Sequence, residues 1–139
     1  MSPVRHQVSG PALQFSLADE ISIVKQELGD TTTRSARTLV KDGPLRVTLV
    51  AVKPGGELKP HRADGPITLQ VLEGEITFQA EGQSWTMRAE SLFVLDAGIT
   101  HSVRSTQGGV FLLTVVALRD GKGNRDQGPG ARDQGTPKA

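Results

Sequence analysis

From about residue 34 the apolar residues of this chain recur at every second position, in short runs broken by glycine, proline and aspartate. Ser35–Val40 gives way to Asp42-Gly43-Pro44, Leu45–Val52 to Pro54-Gly55-Gly56, and Ile67–Leu72 to Glu73-Gly74. Glu75–Ala80 stops at Glu81-Gly82. Ser84–Met87, Leu92–Leu95, His101–Ser105 and Val110–Leu118 follow, with Asp96-Ala97-Gly98 and Gly108-Gly109 between the last of them. A period of two sends alternate side chains to opposite faces of a strand. Many short strands at this spacing fold as a β-sandwich or barrel, and the absence of long helical connectors argues against a parallel α/β sheet. Glu73-Gly74 and Glu81-Gly82 read as tight hairpin turns, because glycine takes positive φ without a Cβ clash.

The two ends read differently. Ser16 with Asp19 three residues on is a capping pattern, and Gly29 supplies a stop signal. Between them Leu17, Ile21, Val24 and Leu28 recur at helical spacing, which predicts one short helix over about 17–28 with a single apolar stripe. That stripe lies on the body or on a partner subunit. Acidic residues on the polar face (Asp19, Glu20, Glu27) argue against a membrane surface. From Arg119 to Ala139 the only apolar side chains are Ala131 and Ala139, and Arg-Asp-Gln-Gly occurs twice. Such a segment cannot bury enough surface to offset the entropy of ordering, so it reads as a disordered tail. The chain thus divides into an N-terminal segment (1–34), a barrel (35–118) and the tail (119–139).

Lysine and arginine number 16 against 15 acidic residues, which leaves no electrostatic footprint for nucleic acid or an anionic membrane. No apolar run approaches the length of a membrane span, and the N-terminus lacks the pattern of a secretory signal, so a cytoplasmic protein is expected. The absence of cysteine excludes disulfides, thiolate metal sites and a Cys nucleophile. Of three histidines, His6 lies in a loose N-terminal stretch. His61 and His101 each sit beside a Gly/Pro turn at the edge of an apolar strand, where side chains often reach a pocket mouth. No phosphate-binding loop or nucleophile elbow is present. Ser102 is adjacent to His101 and so points to the opposite strand face, which argues against a Ser–His dyad. Trp85, with Phe78 or Phe111, reads as core or interface packing.

Residues 55–74 resemble the first motif of the cupin superfamily, and residues 90–105 the second. The family's first motif is glycine, five residues, His-x-His, three or four residues, glutamate, six residues, glycine. Gly55, His61 and Gly74 fall on it, whereas Ala63 stands at the second histidine and Ile67 at the glutamate. In the second motif Gly98 and His101 match, Asp96 replaces a proline and Ser105 an asparagine. The resemblance spans roughly residues 35–118. It implies a double-stranded β-helix, or jelly roll, often dimeric, and in metal-using members a site of three histidines and the glutamate.

Only His61 and His101 of that ligand set are present here. Asp64, Gln70 and Glu57 are the nearest further donors by sequence. Losing the other two ligands removes a charge and two strong donor atoms. It leaves a mainly apolar pocket in which His61 and His101 stand with Ile67, Leu69 and Phe93, and in which Thr48 or Thr68 adds a hydroxyl. The first reading is a single-domain cupin that binds or senses a small molecule. The second is a mononuclear metal-dependent cupin enzyme of dioxygenase or isomerase type, in which both histidines ligate a divalent transition metal. The third is a structural homodimer without pocket chemistry. A homodimer through outer barrel strands and the helix is expected in any case, because strand edges and the apolar stripe need cover.

Overall fold

The computed structural model describes residues 12–118. His6 and the expected tail (119–139) lie outside them. One helix precedes eight strands: α1 (Leu17–Gln26), β1 (Arg34–Asp42), β2 (Leu45–Val52), β3 (Glu57–His61), β4 (Ile67–Ala80), β5 (Gln83–Arg88), β6 (Leu92–Leu95), β7 (His101–Arg104) and β8 (Gly109–Val116). All pairings are antiparallel, and the strands follow the order β1-β2-β8-β4-β7-β3, with β5 and β6 also on β4. The architecture is an all-β jelly roll with one short N-terminal helix.

β4 makes the curl. Its first half pairs with β6 and β8 and its second half with β5 and β7, so one strand belongs to both walls. Between the halves the β4–β8 register slips between Val71 and Glu73, a bulge that turns the strand from one wall into the other. Gly74 sits here at φ 72°. A Cβ at that position would run into the carbonyl oxygen of Gly108. Glu73-Gly74 is therefore a bulge inside a strand of 14 residues, not the hairpin that the turn residues predict. The same local need, a backbone at positive φ, arises at a turn and at a bulge, and only tertiary pairing tells them apart. Glu81-Gly82 is the hairpin expected, with both residues at positive φ (51° and 76°) and Ala80 paired to Gln83. β3 is not legible as a strand in the sequence, because Lys59-Pro60 breaks its apolar alternation.

Val50, Val52, Ile67, Leu69, Val71, Ile76, Phe78, Val103 and Phe111 fill the space between the walls. On the outer face of the β1–β2–β8 wall, Leu39, Val40, Leu49, Ala51 and Val110 pack under α1. A register slip between Thr38 and Val40 turns both Leu39 and Val40 to that face. Ser16 caps the helix, accepting from Asp19 N at 3.3 Å. Val24 is fully buried, with Ile21 and Leu28 beside it, so the stripe is spent largely on the chain's own sheet. The helix stops at Gln26 with Glu27 still at helical φ and ψ. Gly29 does not form the left-handed cap. Its N–H donates to Thr32 Oγ1 at 2.9 Å and its carbonyl accepts from Lys53 Nζ, so side chains from outside the helix hold it. The Glu20 carboxylate accepts from Arg37 Nε at 2.5 Å, fixing the helix to β1.

Among the described residues no helix is long and apolar enough to cross a membrane. Gly74→Ala is expected to lower the unfolding free energy by about 2–4 kcal/mol, from backbone strain plus the clash with Gly108. Urea unfolding with an unchanged midpoint would show that the bend does not depend on this glycine.

Candidate functional site

β3 ends and β7 begins with a histidine. His61 and His101 are direct partners across the β3–β7 pair, and His101 lies opposite Ala80 of β4. Opposed residues of an antiparallel pair project to one face. The two imidazoles, 40 positions apart in the chain, therefore meet at the end of the barrel away from the β4 bulge. Their centroids are 4.4 Å apart and the rings are edge to face at 62°. His101 is buried and His61 exposed.

The floor beneath them is aromatic. His101 stacks on Phe78 (5.2 Å, 15°), Phe78 touches Phe93 (4.6 Å), and Phe93 touches Trp85 (4.9 Å). The contact of Phe78 with His101 has no signal in the sequence. Phe78 shares the phase of Ile76 and Ala80, which marks it as inward, but nothing local says which ring it meets. Ile67 and Leu69 are almost fully buried in the core under this end, and Phe93 is half-buried at its side. Ala63 packs against the same cluster.

Each histidine is oriented in the same way. His61 Nδ1 lies 2.8 Å from the Lys59 carbonyl oxygen, and His101 Nδ1 lies 2.8 Å from that of Ile99. A carbonyl can only accept, so both Nδ1 atoms carry the proton and donate it. A neutral imidazole held in this way presents Nε2 as a lone-pair acceptor. The His101 pKa is lowered from 6.5, chiefly because burial penalises the imidazolium; the Ile99 carbonyl opposes the shift, and a charged His61 nearby would add to it.

The other donors suggested by the sequence do not join the pair. Gln70 is exposed, opposite Leu92 and Leu112 on the outer face, and Glu57 is exposed at the far end of β3 opposite Arg104. Asp64 lines a crevice at the rim with Arg62, Ala63, Ala97 and Gly98, where the loop after His61 meets the loop before His101. The Gly98 N–H donates to the Ala63 carbonyl and ties those loops together. Of the two threonines, Thr48 is in phase with Val50 and Val52 and faces inward. Thr68 lies opposite Val94 and Thr114 on the outer face. Ser105 is buried as a turn lock, donating to the Glu75 carbonyl and accepting from Gly108 N.

A sequence profile for the family described as a cupin domain matches residues 48–116. The chain belongs to the cupin superfamily. Its barrel superposes on a conserved protein of unknown function from Streptococcus pyogenes (22% identity, 86% of this chain and 97% of that one, TM-score 0.63). It also superposes on a cupin 2 conserved barrel domain protein from Leptotrichia buccalis (28%, 69% and 45%, TM-score 0.63). A third likeness is to a mutant of salicylate 1,2-dioxygenase from Pseudoaminobacter salicylatoxidans (14%, 74% and 34%, TM-score 0.67). No curated protein matches the sequence.

Cupins often bind metals, and the motif resemblance puts His61 and His101 at two of the donor positions of such sites. The donor set of this chain falls short of the full one. Ala63 and Ile67 carry no ligating atom, and Ile67 is buried among hydrocarbon. Among the described residues no three histidine or acidic side chains gather as a ligand group. Two imidazoles fall below the three protein donors usual in catalytic sites.

The His101 ring is expected to titrate below pH 6.5, measured by NMR of its ring protons. Because the folded pKa is the lower one, the unfolded chain binds more protons in the window below 6.5, so stability falls as pH falls through it. His101→Phe, which keeps a ring on Phe78, should flatten that loss. A His101 that titrates above 6.5 would contradict the burial account.

Proposed function

We propose that this cupin binds or senses a small organic molecule at the open end of its barrel, without a tightly held metal. The observation that carries the reading is the matched orientation of His61 and His101. Both Nδ1–H groups are taken by backbone carbonyls, leaving two Nε2 acceptors over an apolar and aromatic floor. Such a mouth suits a ligand that donates one or two hydrogen bonds and lays an apolar body on the half-buried Phe93. Burial of ligand hydrocarbon supplies the gain, about 25 cal/mol per Å² before the costs of association.

A second reading has a specific observation in its favour. Metal-ligating histidines commonly donate their second ring nitrogen to a carbonyl, as both do here, and one structural neighbour is a dioxygenase. On this reading His61 and His101 hold a divalent transition metal in a mononuclear enzyme of dioxygenase or isomerase type. Ala63 and Ile67 weigh against it. Protein purified without chelator is expected to carry clearly less than one metal per chain by elemental analysis. One tightly held first-row metal per chain would put the second reading first.

The same proposal has the protein acting in the cytoplasm as a homodimer, with no nucleic-acid or membrane partner. Leu92 and Val94 of β6 and Val116 of β8 are exposed on the outer face. Gln70, Thr68 and Thr114, all uncharged, stand beside Leu92 and Val94 on this face, a patch that a second copy can cover. Light scattering is expected to return a dimer, and Leu92→Lys with Val94→Lys a monomer. A monomeric native protein at micromolar concentration would refute the dimer.

A further inference from the structure

The inner face of β2 does not stay apolar to its end. Val52 and Val50 belong to the core, Thr48 is half-buried, and the next inward residue toward the open end is Arg46, also only partly exposed. Register fixes its place. Arg46 lies opposite Val115 of β8. Val115 lies opposite Ile67 of β4, and Ile67 opposite Leu95 of β6. This row is one step further from the β4 bulge than the row of Thr48, Leu113, Leu69 and Phe93. On the other wall, the row of Ala80, His101 and His61 is likewise one step beyond Phe78. The contact of Phe78 with Phe93 sets the two walls level. Leu58 of β3 packs on the cluster that holds Val50 and Val52 of β2, so the two strands face each other across the core. Arg46 thus stands on the wall facing His61, at the same depth.

Its surroundings lack a counter-ion. The other partly buried guanidinium, that of Arg37, is paired with Glu20. Among the described residues Arg46 has no ion pair and its side chain makes no hydrogen bond. Its cross-strand neighbour on β1 is Lys41, a like charge directly opposite, which costs stability. Val115 and Thr48 are its other neighbours on this face, and the adjacent acid, Asp42, pairs with Leu45 on the outer side. A half-buried arginine beside a second cation, with no anion paired to it, leaves its guanidinium free to take an anion.

Resting on the small-molecule reading above, we propose that Arg46 is the specificity residue of this mouth and that the ligand is a small organic carboxylate. The planar guanidinium takes the carboxylate as a fork, Thr48 offers a hydroxyl beside it, the body lies on Phe93, and the imidazole Nε2 atoms accept from a hydroxyl or amide on the ligand. One fork on a hydrocarbon floor matches one negative charge on an apolar body.

The test follows the ring protons of His61 and His101 by NMR at constant ionic strength, with benzoate and acetate as probes against their uncharged counterparts, benzamide and acetamide. Benzoate is expected to shift both histidines saturably and to bind at least about tenfold more tightly than benzamide. Arg46→Gln should bring benzoate down to the benzamide level without lowering Tm, since it removes a like-charge pair. Arg46→Lys should recover part of the difference. Thr48→Val, with Arg46 intact, should weaken benzoate a few-fold, and Arg34→Gln, an exposed cation on β1, should change nothing. Equal binding of benzoate and benzamide, or full benzoate affinity in Arg46→Gln, would overturn the carboxylate inference and leave the pocket standing. If none of the probes moves either histidine, the inference and the pocket reading both fail.

Discussion

β4 has to serve two walls at once, and the position of every residue at the open end depends on how it does so. The strand can change walls only where the backbone tolerates positive φ and a carbonyl can approach closely, and Gly74 against Gly108 supplies both. With the bend there, Leu69 stands on one wall and Phe78 on the other, and the contact of Phe93 with Phe78 brings the two walls level. One step further out, Ala80 fixes the height of His101, and His101 fixes that of His61. The convergence of two histidines so distant in sequence is thus a matter of register set by one bulge.

At that end the chemistry follows from what each ring can do. Burial against Phe78 disfavours the charged form of His101, and a carbonyl on Nδ1 decides which nitrogen of the neutral ring is left over. Two such rings make an acceptor pair. Beside it the usual anionic partner has become hydrocarbon at Ile67, and the nearest inward charge on the facing wall is the cation of Arg46. On the proposed reading, acceptors on one wall and a cation on the other together receive a molecule that brings its own negative charge.

Much of this is legible in the sequence. The period of two, the Glu81-Gly82 turn, the capped helix and the apolar stripe can be read directly, because each depends on neighbours in the chain. The motif spacing singles out His61 and His101, and alternation from Ile67 puts Leu69 inward and Gln70 outward. What stays hidden depends on pairing between distant strands. Gly74 has the same local signature in a hairpin as in a bulge. β3 carries Pro60 and charged residues, so only its pairing with β7 marks it as a strand. Phe78 as the partner of His101, and Arg46 as the cation level with them, are facts of register and have no local signal at all.

The chemistry of the mouth depends most directly on which nitrogen of each histidine is left free. Long-range proton–nitrogen NMR of the imidazoles near neutral pH reads this directly. It should show His61 and His101 both with the proton on Nδ1 and an unprotonated Nε2. If both rings instead carry the proton on Nε2, the backbone carbonyls do not hold them, the pair offers donors where acceptors are required, and the proposed chemistry of the mouth is wrong.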